Sequence, residues 1–173
     1  MKKGLLLLLI MAFTQLTGAA MENKIKFDDE TFLLSNPESK TKNYNYYLKD
    51  ENIENWHTRI NIQNLPDKTN ATEAAAEFAH RIQSEHPGAS VLVYPDAGMV
   101  GYLLSAKDCY EYNTVFFYKG KNGLDKFDYS KRFYDAENGG HEGARKAAIE
   151  FAEKNNKKYM EMVNKTAAKY KVD

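Results

Sequence analysis

The sequence predicts an α+β fold, a mostly antiparallel β-sheet flanked by two helices in an α/β/α sandwich. The first observation is a series of three consecutive strand patterns, at 99–106, 109–119 and 124–134. The middle pattern carries large apolar side chains on both faces, which is typical of a strand that is covered on both sides. Amphipathic helical patterns at 71–85 and 142–168 supply the two covering layers.

Three further strands are predicted before the first helix, at 31–35, 44–48 and 56–63. The last of these has the clearest alternation of apolar and polar residues, which indicates one buried and one solvated face. Its apolar side holds Trp56, Thr58, Ile60 and Ile62. With a short apolar strand at 89–94, the predicted element order is β-β-β-α-β-β-β-β-α.

The first helix has a clear start signal, because Asn70 precedes it and Glu73 follows three residues later, as in a capping box. Glu77 and Arg81 lie one turn apart on its exposed side, so we expect them to pair. The strand at 124–134 alternates aromatic with polar residues. We expect it to be half exposed and to lie towards an edge of the sheet.

The composition is that of one globular domain. The chain has 173 residues, of which 43% are hydrophobic and 28% are charged. This hydrophobic fraction is typical of a folded globular protein and is higher than that of a disordered chain. The 24 basic and 24 acidic residues cancel, whereas a nucleic-acid-binding surface requires an excess of basic residues. We expect no nucleic-acid partner.

The N-terminus has the pattern of a secretory signal peptide. Lys2 and Lys3 precede an apolar run at 4–13, which is too short to cross a bilayer. Small residues follow this run, so we expect cleavage after Ala19 or Ala20. Ala19 also stands where a bacterial lipobox requires cysteine, and no lipid anchor is expected.

The predicted organisation is a signal peptide at 1–20, a flexible leader at 21–30 and one α+β domain at 31–173. The short Lys-Lys start and the low arginine content are typical of a bacterial exported protein. We expect the mature protein in the periplasm, without stable membrane insertion, and secretion is the alternative location.

Cys109 is the single cysteine of the sequence, so it has no partner for an internal disulfide. A cysteine that enters a core strand is usually a small buried hydrophobe, although a thiol beside a cationic group can act as a nucleophile. None of the four histidines lies in a recognised catalytic motif. We predict no catalytic residue, no cofactor and no metal ligand. A hydrolase or transferase that uses Cys109 or His57 is an alternative.

The polar side of the strand at 56–63 is the candidate binding surface. Its hydrogen-bonding side chains are His57, Arg59, Asn61 and Gln63. If other polar groups lie nearby, a polar groove results, and the alternative is an ordinary solvated strand face.

Polar residues on the later strands are expected to join this surface. Glu111 and Asn113 interrupt an otherwise apolar strand, and a buried polar residue requires a partner. We expect Arg59 or Arg132 to pair with Glu111. Six of the 12 tyrosines can supply an amphipathic surface for a protein partner, and packing in the core is the alternative. They are Tyr44, Tyr46, Tyr47, Tyr110, Tyr112 and Tyr118.

The chain resembles a group of small exported bacterial proteins of unknown function. The resemblance rests on Tyr46–Leu48 and on the segments 52–62, 111–116 and 129–133. The overall layout is similar to the PsbP-like fold, an antiparallel sheet between helices whose known members act mainly by docking to partners. This resemblance implies a docking role and assigns no functional residue.

Together these observations predict a non-catalytic periplasmic protein that binds an envelope or secreted protein partner. The predicted export, the lack of a catalytic motif and the many tyrosines favour this function. A small-ligand-binding protein that uses the strand face from His57 to Gln63 is the alternative.

Overall fold

Eight strands and two α-helices are present in residues 21–172, the part of the chain that the computed structural model describes. The predicted signal peptide at 1–20 lies outside these described residues. The strands are β1 (Lys24–Phe27), β2 (Glu30–Leu34), β3 (Asn43–Tyr47), β4 (Thr58–Leu65), β5 (Ser90–Tyr94), β6 (Met99–Ser105), β7 (Cys109–Lys119) and β8 (Leu124–Tyr134). The helices are α1 (Ala71–Glu85) and α2 (His141–Ala167).

The eight strands pair antiparallel in one sheet, in the order β1-β2-β3-β4-β8-β7-β6-β5. The predicted α+β class is confirmed. Strands β1 and β5 form the two edges, and the long hairpin of β7 and β8 lies in the interior of the sheet.

Residues 21–30, expected to be a flexible leader, contain β1 and the start of β2. Ile25 and Phe27 are buried, while the lysines between and beside them are exposed. The turn that follows places Asp28 and Asp29 at positive φ, 49° and 64°, as in a type I′ hairpin. Asp-Asp is not the Asn-Gly or Asp-Gly signal of such turns, so the predicted order lacked this strand.

Strand β8 does not lie towards an edge as expected, because β4 and β7 pair with its two sides. Its polar residues Asp125, Asp128 and Ser130 are buried. Hydrogen bonds to neighbouring side chains satisfy them, for example from the Ser130 hydroxyl to Asp128 Oδ1 at 3.2 Å. These three polar residues therefore reflect buried hydrogen bonds, whereas residues 131–134 at the end of the strand are half-buried.

The two faces of the sheet are covered by different helices. On one face, Tyr129 and Phe127 pack in the same cluster as Tyr159 and Val163 of α2. On the other face, Val100, Val115 and Phe117 pack against α1, mainly against Ala75, Phe78 and Ile82. This arrangement agrees with the predicted sandwich, in which each residue along β7 points alternately to one helix or to the other.

Helix α1 begins as predicted, since the Asn70 side chain accepts hydrogen bonds from the backbone N–H groups of Thr72, at 3.0 Å, and Glu73, at 3.3 Å. The expected pair of Glu77 with Arg81 does not form, because Lys68 contacts Glu77 instead. Lys68 follows the turn after β4 and reaches the first half of the helix. Arg81 has no carboxylate partner among the described residues.

The segment that follows α2 is anchored to the sheet by hydrogen bonds. The Tyr118 hydroxyl donates to the carbonyl of Tyr170 at 2.7 Å, and the N–H of Val172 donates to Asp125 Oδ2 at 3.0 Å. The Asn64 amide donates to Asp125 Oδ1 at 2.9 Å. Asp125 thus connects β4, β8 and the last described residue of the chain.

Candidate functional site

Six of the eight predicted site residues share the face of the sheet on which α1 packs. They are Arg59, Asn61 and Gln63 on β4, Glu111 and Asn113 on β7, and Arg132 on β8. The register places Arg59 opposite Ser130, which in turn lies opposite Asn113. Tyr112 lies on the other face, buried under α2, with its ring 5.2 Å from that of Phe151. The predicted polar surface therefore forms without Tyr112.

The predicted partner of Glu111 is confirmed as Arg132, with Nε at 2.8 Å from Oε1. The Arg132 guanidinium also lies over the Trp56 indole, 3.8 Å from the ring centroid, and that of Arg59 lies at 4.7 Å. Trp56 precedes β4 and contacts its polar side, whereas the alternation predicted the side of Ile60. Contact with two guanidinium groups stabilises this position, since an indole attracts cations to its face.

Asn113 is 1% exposed, and neither its amide nitrogen nor its amide oxygen has a hydrogen-bond partner in the described residues. Arg59 Nε is also buried without a partner, although Arg59 Nη2 donates to the Ser130 hydroxyl at 3.2 Å. A buried polar group without a partner costs about 1–3 kcal/mol. The polar face is therefore incompletely hydrogen-bonded at Asn113 and Arg59.

His57 bridges two carboxylates just before β4. Nε2 lies 2.9 Å from Glu137 Oε1, and Nδ1 lies 3.0 Å from Glu51 Oε1. The hydrogen bond to Glu137 raises the pKa of His57, the bond to Glu51 adds to the increase, and burial partly opposes it. With both ring nitrogens facing carboxylate oxygens, the protonated form of the ring is stabilised.

We expect His57→Gln to lower the free energy of unfolding at about pH 5.5 and to have little effect at about pH 9. The folded-state pKa is above the unfolded value of 6.5, so the contribution is complete below that value. It is lost as the pH rises through the folded-state pKa. Because the side chain is 46% exposed, screening limits the effect to about 1 kcal/mol or less.

Urea denaturation of both proteins across this pH range measures the difference. Glu54→Gln, on an exposed residue of the same loop, is the control. A stability difference that does not change with pH would contradict the expected ionic contribution.

Cys109 is buried, as is usual for a cysteine that enters a core strand. Burial raises the pKa of its thiol to about 11, and the negative charge of Glu111 contributes. A thiol with this pKa is almost entirely protonated at neutral pH, and the thiolate is the nucleophilic form. The geometry at Cys109 gives no support to the hydrolase or transferase alternative.

A hydrogen-bonded chain that the sequence did not indicate links three residues near the start of α2. Ser105 Oγ lies 2.8 Å from His141 Nε2, and His141 Nδ1 lies 3.0 Å from Asp135 Oδ2. This is the order of groups in a serine-hydrolase triad, but the imidazole is 44% exposed to solvent. The chain ties the end of β6 to the first residue of α2. Ser105 lies 36 residues before His141, so no local sequence motif indicates the chain.

The edge strand β5 holds three of the five large hydrophobic side chains that are exposed in the described residues. Its side chains Leu92, Val93 and Tyr94 are 58%, 40% and 36% exposed, and none of its five residues is charged. Within the described part of the chain it pairs with β6 alone. Its outer backbone N–H and C=O groups are therefore available to another strand.

Two grooves lie beside this edge on the α2 face. The first, of about 280 Å³, is lined by Leu92 and Leu103 of the sheet and by Ala152 of α2, with Tyr112 at its wall. The second, of about 440 Å³, has Tyr94, Met99 and Met160 among its lining residues. Asn156 lines both grooves, where it accepts a hydrogen bond from the Tyr112 hydroxyl at 3.1 Å.

Two further properties concern membranes and metals. In residues 21–172 no helix is long and apolar enough to cross a membrane. The same described residues contain no group of three or more His, Cys, Asp or Glu side chains placed to hold a metal ion.

The fold and the exposed edge define a class of protein, a small α+β domain with an open antiparallel sheet between two helices. The chain belongs to a family of unknown function, whose model matches residues 19–168. The comparisons with curated proteins and with solved structures find no match. Nothing in these comparisons supports the PsbP-like resemblance, which stays a prediction.

Proposed function

We propose that this protein is an exported, non-catalytic binding protein whose protein partner adds an extended segment to the sheet along β5. The observation that carries the proposal is the uncharged and exposed edge of that strand. Folded proteins usually protect such an edge with lysine, proline or a bulge. The sequence of β5, Ser-Val-Leu-Val-Tyr, contains neither lysine nor proline.

The grooves beside β5 add side-chain recognition to the backbone pairing. In strand addition, main-chain hydrogen bonds supply affinity, and pockets for alternate side chains supply specificity. Every second side chain of an added strand would point to the α2 face, next to Leu92 and Tyr94. The apolar walls formed by Leu103 and Met160 favour aliphatic or aromatic side chains at these positions.

The location proposed for this binding is the periplasm, with secretion as the alternative. The signal-peptide pattern of the sequence supports export. The PsbP-like layout, in which an antiparallel sheet between helices serves docking, is consistent with a partner-binding role and is part of the same proposal.

Small-ligand binding on the polar face is the second candidate function. The unpaired amide of Asn113 and the unpaired Nε of Arg59 favour it. Both groups lie on the opposite side of the sheet from the α2 grooves, so this function is compatible with a protein partner at β5.

We expect Leu92→Lys to abolish retention of the partner from periplasmic extract, because a charge at the centre of β5 opposes the approach of another strand. Leu92 is exposed, so the fold is retained. Ile53→Lys is the matched control, since Ile53 is a 70% exposed apolar residue in a distant loop. Hydrogen exchange of the purified complex measures protection of the β5 amides.

The proposal is supported when the wild type and the Ile53→Lys variant retain the same protein, Leu92→Lys loses it, and the β5 amides become protected. Retention by Leu92→Lys, or unprotected β5 amides in the complex, contradicts strand addition. Sedimentation of the free wild type identifies the case in which the partner is a second copy of the chain.

A further inference from the structure

A groove between α1 and the centre of the sheet is separate from the edge strand β5. It has a volume of about 220 Å³ and lies over β4 and β8. Leu65, Phe78 and Phe117 form its apolar lining, and Gln63 contributes the last amide of the predicted polar strand face. The volume is below the ~300–1,000 Å³ typical of sites for drug-sized ligands, so the groove suits a small molecule.

Two cations in this groove have no carboxylate partner in the described residues. Lys126 Nζ lies 5.7 Å and Arg81 Cζ lies 5.1 Å from the centroid of the Phe78 ring. The other cation in the lining, Lys68, is paired with Glu77. The lining therefore has an excess of two positive charges beside an aromatic surface.

Burial makes the positive charge of Lys126 costly. Burial lowers the pKa of Lys126, the positive charges of Arg59 and Arg81 lower it further, and Asp128 opposes this effect. Asp128 already accepts a hydrogen bond from Ser130, at 3.2 Å. An anion placed between Lys126 and Arg81 would stabilise both charged side chains, because opposite charges interact strongly where water is partly excluded.

We propose that this groove binds a small carboxylate with an aromatic or aliphatic body. The carboxylate lies between Lys126 and Arg81, and its apolar part lies on Leu65, Phe78 and Phe117. The arginine presents a planar fork that matches a carboxylate, and the lysine supplies a compact second charge. This site goes beyond the proposed function, since it shares no residue with β5 or with the α2 grooves.

Calorimetric titration with 2-naphthoate tests the site, and 2-naphthamide serves as the uncharged probe of nearly the same shape. We expect saturable binding of 2-naphthoate to the wild type and binding of 2-naphthamide at least about tenfold weaker, because the charged hydrogen bonds are lost. Lys126→Met and Arg81→Gln are each expected to weaken 2-naphthoate binding by about tenfold or more.

Lys146→Met is the control for loss of one positive charge, since Lys146 is 77% exposed on α2. It is expected to bind 2-naphthoate as the wild type does. Methionine keeps the length of the lysine stem, so Lys126→Met is expected to fold, and circular dichroism checks this. Lack of 2-naphthoate binding by the wild type, equal binding of the acid and the amide, or unchanged binding by both groove variants would overturn the proposal.

The outcome is independent of the strand-addition experiment. Leu92→Lys is expected to bind 2-naphthoate with wild-type affinity, because Leu92 does not line the groove. Weaker binding by this variant would contradict the assignment of the ligand to the groove beneath α1.

Discussion

Replacing Phe27 with alanine is expected to destabilise the protein by about 3–5 kcal/mol, the usual cost of removing a buried phenylalanine. Phe27 is 2% exposed. Its ring stacks on that of Tyr129 at 4.8 Å and lies 5.9 Å from the ring of Tyr159 on α2. The side chain thus connects the hairpin of β1 and β2 with the centre of the sheet and with the helix that covers it.

Urea denaturation followed by circular dichroism measures the loss in the free energy of unfolding. Lys26→Ala is the matched control, because Lys26 precedes Phe27 on β1 and is exposed. We expect it to change stability by no more than about 0.5 kcal/mol. A loss below about 1 kcal/mol for Phe27→Ala would show that β1 is a detachable leader, as the sequence predicted for residues 21–30.

Replacing Asp125 with alanine is expected to destabilise the protein by about 2–4 kcal/mol, since two hydrogen bonds to a charged group are lost. Asp125 is fully buried and accepts from the Asn64 amide at 2.9 Å and from the Val172 N–H at 3.0 Å. After the substitution the N–H of Val172 has no acceptor. The segment after α2 is then expected to detach from the sheet.

Asp125→Asn is the isosteric control, and we expect about half the effect, because an amide has one acceptor oxygen where the carboxylate has two. Combining Asp125→Ala with Asn64→Ala completes a double-mutant cycle that isolates the contact between these residues. Hydrogen exchange at residues 168–172 reports detachment of the segment. Wild-type protection there in Asp125→Ala would contradict the anchoring role of Asp125.

Strand and helix positions were largely predictable because they depend on local patterns. The helix at 71–85 has the bounds of α1, and the strands at 109–119 and 124–134 have those of β7 and β8. Period-two alternation, a capping asparagine and turn residues are all readable over a few positions. Strand β1 was missed, because the turn that joins it to β2 uses Asp28 and Asp29 at positive φ.

The polar face was predictable in part. Alternation along β4 correctly placed Arg59 and Asn61 on one side of the strand. The pair of Glu111 with Arg132 was among the predicted pairs, because a buried carboxylate requires a hydrogen-bond partner. The wrong side was predicted for Trp56, because the alternation was extended two residues before the start of β4. A side chain in the loop before a strand, such as Trp56, can pack against either face of the sheet. The face is set here partly by Arg132, which is distant from Trp56 in sequence.

Local sequence patterns did not predict the order of the strands in the sheet. The polar alternation of β8 predicted a position towards an edge, yet β4 pairs with it from Leu124 to Lys131. Conversely, the apolar sequence of β5 is typical of a covered strand, and it forms the exposed edge. Edge and centre are properties of the whole sheet, and period-two patterns report only which side chains are buried.

The sequence by itself determined the α+β class, most of the elements and the polar composition of one strand face, because these follow from propensity and from side-chain periodicity. Tertiary structure alone decided that β5 is open, that Lys126 and Arg81 line one groove beside Phe78, and that Ser105 reaches His141. Each of these features joins residues from separate elements. Their contact depends on strand order and helix placement, which arise from packing over the whole domain.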